Sequence, residues 1–392
     1  MRRTNRLAAL LIAPLLLLIL GSFLVPVGLT LFRAVADREV ARTLPETTAA
    51  LQDWDRQGLP GEAAFAAMVR ELGVALVDRR IGDLAQRLNF ERTGSRTLLL
   101  RTARAAERLQ APFRLSLPAL DARWAEPETW QMLARATGPL TSLYLLRAMD
   151  FSRSPAGAIA AVPFDEKLYR TLFLRTFGIG LLVTAICVLL AYPVAYTIAR
   201  LRAPWSSLAL TLVLIPFWSS VLVRTTAWFV LLQREGPVNH ALLWLGLLEA
   251  PAQIVGTRIA VLLALVHVLL PFAILPMHSV MVRLDATYLR AAASLGANGA
   301  QRFFRVWLPL SLPGVLAGGA MVFLLSVGMY TAPALVGGDR DQMVAWFIAN
   351  FMNRDVNWGM AAALSAYLLA ITGAVVALVR VVTPGVALGV RG

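Results

Sequence analysis

The sequence predicts an all-α integral membrane protein with six transmembrane helices and an inserted helical domain outside the membrane. Three observations predict it. The 392-residue chain is 58% hydrophobic with a mean hydropathy of +0.66, whereas the hydrophobic share of a soluble domain is about half. Its apolar residues gather in six stretches long enough to cross hydrocarbon, where only a backbone that satisfies its own hydrogen bonds can stand. Between the first and second stretches, a long segment mixes charges of both signs.

The six spans are expected at about 7–32, 171–199, 206–232, 257–280, 309–333 and 359–380. Arg2, Arg3 and Arg6 precede the first, and Arg200 and Arg202 separate the second from the third. Arg283 to Arg305 separate the fourth from the fifth, and Arg380 and Arg391 follow the sixth. Arginines in short loops stay on the cytoplasmic side, so both termini are expected there, with residues 1–32 forming the first span and its cytoplasmic N-terminus. A cleavable signal peptide is the competing reading, because Ala34-Val35-Ala36 follows a basic start and an apolar run. A run near 26 residues exceeds the ~7–15 of a signal core, and cleavage would leave five spans in the same orientation.

Residues 33–168 are expected to form a helical periplasmic domain. Between Arg33 and Lys167 there are 19 basic and 17 acidic side chains, and a long loop is exported largely regardless of charge. Apolar residues recur at helical spacing from Ala63 to Leu88, at Phe65, Met68, Val69, Leu72, Leu76, Ile81, Leu84 and Leu88. Pro60, Pro127 and Pro139 suit helix starts, and Gly58, Gly94 and Gly138 suit breaks. No metal-ligand spacing, Ser/His/Asp set or phosphate loop occurs in it, which favours a packing or docking role over ligand binding. Residues 169–392 hold the remaining five spans. Between the third and fourth, Gly236-Pro237-Val238-Asn239 breaks the chain, and His240 to Leu248, with Trp244, is too short to span and is expected at the outer interface.

The net charge of +14 admits two partners, nucleic acid or an anionic membrane surface. The near balance inside 33–168 puts the excess beside the apolar segments, so the partner is membrane lipid and not nucleic acid. The single cysteine, Cys187, lies in an apolar run, so no intrachain disulfide exists and the residue faces lipid or fills packing space. The single lysine sits in Phe164-Asp165-Glu166-Lys167, without the glycine-rich loop that cradles phosphates, so the chain carries no nucleotide site of that type.

Residues 283–314 read as a helix, a glycine turn and a second amphipathic helix closed by Pro309, with Ala291, Ala292 and Ala293 forming a face small enough for close approach of another protein. This segment resembles the coupling loop of ABC-importer permeases, in which Glu-Ala-Ala, three residues and Gly precede an apolar residue, one residue and Leu-Pro. Ala291, Ala292, Gly296, Val306, Leu308 and Pro309 stand in those places, and Arg290 stands at the family's glutamate. The reversal of charge removes the expected ion pair, while docking by shape and backbone carries over. Ile215-Pro216-Phe217-Trp218 through Trp228, Gly236-Pro237-Val238-Asn239, Leu245-Gly246-Leu247, Tyr330 to Gly338 and Asn357 to Ala363 are similar to the first permease of spermidine/putrescine-type importers. The resemblance covers about 170–380 and leaves out the expected periplasmic domain.

The resemblance implies a type I importer fold working with an ABC ATPase dimer, a second permease subunit and a periplasmic solute-binding protein in a bacterial inner membrane. ATP and Mg would sit on the ATPase, with no cofactor and no catalytic site on this chain. Closure of the ATPase would pull the coupling helix 284–305, and spans 309–333 and 257–280 would open the path outward. A polyamine is the implied cargo, with ferric iron, thiamine or an aminophosphonate as alternatives. A membrane sensor is the rival from another class, against which the cytoplasmic loops are too short for a kinase or cyclase. A membrane-embedded enzyme would need convergent His, Asp or Glu in the spans, and the histidines are scattered.

Candidate pathway or partner contacts are Trp218, Arg224, Trp228, His267 and Tyr330. An arginine within a span is costly enough to mark function, although Arg224 on an outer turn can also snorkel. His267 and His278 read first as hydrogen-bonded bundle residues, and Pro271 and Pro276 predict a kinked or broken fourth span. Outside 33–168 the acids are Glu235, Glu249, Asp285, Asp339, Asp341 and Asp355, none in mid-span. A desolvated cation would therefore depend on aromatic faces or on a partner's groups.

Overall fold

The computed structural model describes residues 12–154, 157–163 and 167–382. Arg2, Arg3, Arg6, Arg391, Phe164-Asp165-Glu166 and the start of the first span at residue 7 lie outside the described residues. Helices dominate the rest. The only strands among the described residues are Phe151–Arg153 and Ile159–Ala161, an antiparallel pair with Ser152 opposite Ala160.

Five helices are long and apolar enough to cross a membrane: Ile12–Phe32, Tyr169–Arg200, Arg258–Met281, Gly299–Val327 and Trp358–Val379. The expected span at 206–232 is instead a bent pair, Trp205–Trp218 and Val221–Leu231, meeting at 91°. Pro216 supplies no backbone donor to continue the first helix, Ser219 is extended, and Ser220 starts the second helix by accepting the Val223 N–H at 3.1 Å. Counting the bent pair as one crossing gives six. Arg258–Met281 runs as a single helix through Pro271 and Pro276, so the predicted break of this span does not occur. Each proline removes one rung of the ladder, and the remaining rungs continue on either side. The fifth span begins earlier and ends earlier than 309–333, at Val327, and Thr331–Val336 forms a separate short helix. The short helix expected at 240–248 spans Pro237–Trp244.

The chain divides into two units, one comprising residues up to Arg170 with Phe351–Ala366, the other Thr171–Asn350 with the chain from Tyr367 on. In the first, helices Pro45–Gln52, Glu62–Val77, Ile81–Glu91, Ser95–Ala105, Phe113–Leu120 and Pro127–Ala136 enclose an apolar core. The periodic residues from Phe65 to Leu88 are buried there, apart from the partly buried Leu76. Their run is two helices rather than one, broken at Asp78-Arg79-Arg80 with Arg79 in the left-handed region at φ 58°. Phe65 and Trp130 pack with ring centroids 4.3 Å apart, and Trp124 and Trp130 at 5.3 Å. Both indole donors are satisfied, Trp124 to Thr102 Oγ1 at 2.9 Å and Trp130 to the Trp124 carbonyl at 3.0 Å, as buried indoles require. The buried Glu71 carboxylate accepts from Glu46 N–H at 2.6 Å, Thr47 N–H at 2.9 Å and Thr47 Oγ1 at 2.6 Å. It thereby caps the start of helix Pro45–Gln52.

In the second unit, Leu308–Val327 lies against Arg258–Met281. Gly314 and Gly318 make this possible. A Cβ on Gly318 would stand 2.8 Å from the Ala273 carbonyl oxygen, and one on Gly314 3.0 Å from the Met277 Cα. Small residues four apart let two membrane helices meet backbone to backbone, where dispersion drives association in place of the hydrophobic effect. Cys187 is buried against this core, its Sγ 3.8 Å from the Val266 carbonyl. Of its two expected settings, the packed one is observed.

Candidate functional site

The segment between the fourth and fifth spans is built from local rules at each end. Asp285 caps helix Ala286–Ser294, its carboxylate accepting the Thr287 N–H at 2.8 Å. That backbone hydrogen bond, followed by one from the Thr287 side chain, holds the Asp285 carboxyl below its ordinary pKa. The helix stops at Gly296, whose φ of +85° is open to glycine and costly to other residues. The Ala297 N–H reaches the Ala292 carbonyl and the Gly296 N–H the Ala293 carbonyl, both at 3.0 Å, which satisfies the last carbonyls of the helix. Asn298 and Gln301 then cap each other reciprocally at 2.8 and 3.0 Å, starting helix Gly299–Arg302. A wide π turn, Phe303–Trp307, carries this short helix into Leu308–Val327 without a break. Pro309 therefore lies inside the start of a continuous rod and closes nothing.

No residue of Ala286–Ser294 is buried. Ala291 is exposed and Ala292 half-buried. Leu295, at the tip of the turn, is 89% exposed, and Tyr288 and Phe304 are exposed too. Arg290 Nη2 donates to Thr287 Oγ1 at 2.9 Å, so the reversed charge is held along its own helix. Four arginines and one aspartate make 283–305 strongly basic. Val306 and Leu308 are half-buried at the base of the rod. There Phe303 meets Tyr192 at 6.0 Å and Tyr196 at 5.8 Å, edge to face, and Trp307 meets Tyr196 at 5.3 Å. Tyr192 also bonds Ser311 at 2.9 Å. The rod that follows the turn is thus anchored to helix Tyr169–Arg200 by rings at its base and to Arg258–Met281 by the glycine contact further along.

A second group forms on the bent pair. Trp228 Nε1 donates to His267 Nδ1 at 3.0 Å, which places the imidazole proton on Nε2, since an indole nitrogen only donates. Arg224, one turn earlier, approaches the Val268 carbonyl at 3.5 Å, and its Nε has no partner among the described residues. The structure therefore joins Arg224, Trp228 and His267. Trp218, at the 91° bend, and Tyr330, before Thr331–Val336, are exposed and make no ring contact or hydrogen bond with that group among the described residues.

Sequence reading overlooked the aromatic anchor, because Tyr192 and Tyr196 lie more than a hundred residues from Phe303. It also overlooked Gly314 and Gly318, whose four-residue spacing was the available signal. The Arg258–Asp341 ion pair at 3.1 Å had no local signal.

Apolar helices long enough to cross a membrane, two of them joined by an exposed, capped helix–turn–helix, define a multi-pass membrane protein. Residues 154–387 match the family described as "Binding-protein-dependent transport system inner membrane component", and the chain belongs to that family of multi-pass inner-membrane proteins. It is 37% identical to the spermidine/putrescine transport system permease protein PotB of Haemophilus influenzae over 229 residues, 56% of this chain and 80% of the relative. The PotB protein of Escherichia coli K12 is 36% identical over 210 residues, 53% of this chain and 76% of the relative. A crystal structure of a bacterial alginate ABC transporter, in complex with its alginate-bound periplasmic protein, matches with 15% identity and a TM-score of 0.46, covering 55% of this chain and 78% of that one.

Proposed function

We propose that this chain is one of two permease subunits of an ABC importer for spermidine or putrescine, and that it performs no covalent chemistry itself. The likeness to two spermidine/putrescine permeases over at least three quarters of their length carries this reading. In it, a cytoplasmic ATPase dimer holding ATP and Mg grips 284–305, both termini are cytoplasmic, and residues 33–168 face the periplasm, where a solute-binding protein delivers cargo. Shape supports the grip: the Gly296 turn presents Leu295 and the small Ala291 and Ala292 to a partner. When the ATPase closes, the push would travel along the rod Gly299–Val327, through Phe303 and Trp307 to Tyr192 and Tyr196, and through Gly314 and Gly318 to Arg258–Met281. Trp218, Trp228 and Tyr330 offer π faces, which compensate a desolvated ammonium group.

The test is uptake by proteoliposomes holding the full complex, with the binding protein outside and ATP inside. ATP-dependent accumulation of radiolabelled spermidine, competed by putrescine, is the expected result. Accumulation of ferric iron, thiamine or an aminophosphonate in its place would overturn the cargo.

A further inference from the structure

The first unit contains a cavity of about 560 Å³ that no transport step uses. Its base is the Arg87 side chain, buried to 6% exposure. The guanidinium donates from Nε to Asp37 and from Nη1 to Glu91 at 3.0 Å, lies 5.6 Å from the Tyr144 ring centroid, and keeps Nη2 without a partner among the described residues. Burial pushes the Tyr144 hydroxyl up to about 12, against the pull of Arg87, so the ring stays neutral at physiological pH.

One wall is a strained turn. Val356 has φ +50°, a conformation that is an outlier for a β-branched residue and that persists where the surroundings enforce it, typically at functional sites. Here Gln86 Nε2 holds the Asp355 carbonyl at 2.7 Å, and the Asn357 N–H holds the Phe351 carbonyl at 2.8 Å. The turn presents Asp355 and Trp358 to the cavity, with Arg33 stacked 5.0 Å over the Trp358 ring. Gly359 follows because its missing Cβ is occupied: the Tyr144 ring passes 2.3 Å from that position.

The remaining walls carry charges of both signs. Arg38 and Arg42 line it together with Glu39, Asp83 and Asp355, and none of these five makes an ion pair among the described residues. An anion would meet the three carboxylates, a cation the two arginines, and an apolar molecule would desolvate all five without compensation. Only a ligand with separate positive and negative groups answers the set. The volume falls within the ~300–1,000 Å³ of small-molecule sites.

We propose that this cavity binds a small zwitterion of the free amino acid or dipeptide class. Its carboxylate meets Arg38 and Arg42, its ammonium meets Asp83 and Asp355, and its side chain lies on Tyr144 and Trp358. The site is distinct in sequence from every residue assigned to translocation, so its test can fail while the transport reading stands.

Isothermal titration of the intact complex in nanodiscs decides it, using the twenty free amino acids and glycyl-phenylalanine, with phenethylamine, hydrocinnamate and spermidine as single-sign controls. Saturable binding of at least one zwitterion, at least tenfold tighter than every control, is expected. Arg42→Ala and Asp83→Ala, both exposed positions, should each weaken it at least tenfold while leaving the melting temperature and spermidine uptake unchanged. The proposal is overturned if no zwitterion saturates, if a single-sign control binds equally well or displaces the zwitterion, or if both variants bind as wild type.

Discussion

Replacing Gly318 by alanine puts a methyl group where Arg258–Met281 already stands. The new Cβ would lie 2.8 Å from the Ala273 carbonyl oxygen and 3.2 Å from the Ala273 Cα, where ordinary contact begins at 3.4 Å. Both obstacles are backbone, so neither swings aside, and the helices must part locally by about 0.6 Å. A radial gap of about 0.5–1 Å forfeits a quarter to a half of each dispersion contact it opens. Overpacking of this kind costs about 1–3 kcal/mol, with 1.4 kcal/mol equal to tenfold in an equilibrium constant. The neighbouring Gly319 is the internal control. Its added Cβ would meet only the Val188 and Thr184 methyls at 3.5 and 3.7 Å, and alanine is the better helix former by up to about 1 kcal/mol. The two variants should therefore move in opposite directions in detergent thermal unfolding, Gly318→Ala down and Gly319→Ala level or up. Equal melting of the two would refute the close backbone contact, and with it the route proposed from 284–305 to the fourth span.

Three further outcomes are expected. Gly296→Ala forces a side chain into φ +85° at about 1–2 kcal/mol, and should lower ATPase co-purification while lowering the melting temperature of the free subunit by only a few degrees; unaltered co-purification contradicts the role of the turn. Glu71→Ala strands the Glu46 and Thr47 donors at about 1–3 kcal/mol, so thermal unfolding of the first unit should fall, and an unshifted melt contradicts the buried cap. The hydrogen bond from Arg123 holds the Asp121 carboxyl below the usual carboxylate range, against burial. A depressed folded pKa means stability present above the unfolded value near ~3.9 and lost as pH falls through the folded one. Asp121→Asn should accordingly melt lower than wild type at pH 7, with the gap closing below pH ~4; a gap constant from pH 7 to 3 contradicts the pairing.

The spans were legible because length and apolarity are properties of a contiguous stretch, and the turn at Gly296 because capping residues act within a few positions. The bend at Ser219 was not, since Pro216 and two serines inside an apolar run satisfy the same length criterion as a straight helix. Of the kink or break expected at Pro271 and Pro276, the break does not occur, because a helix packed against its neighbour stays continuous despite two missing donors. Phe303 with Tyr196, and Trp228 with His267, meet only after the fold joins elements distant in sequence. The cavity beside Arg87 draws on residues 33–42, 83–90, 144 and 355–359, a set with no common sequence pattern. Arg79 and Val356, the left-handed positions that break or strain their segments, belong to residue types that carry no turn signal.

In the proposed function the turn between the fourth and fifth spans faces the cytoplasm and is gripped by the ATPase. Leu295→Cys tests it directly, because Leu295 is 89% exposed and the single native cysteine, Cys187, is buried. A membrane-impermeant maleimide should label this position in inverted vesicles and not in intact spheroplasts, and the bound ATPase should protect it. Labelling from the outer side, or labelling that the ATPase leaves unchanged, contradicts the account.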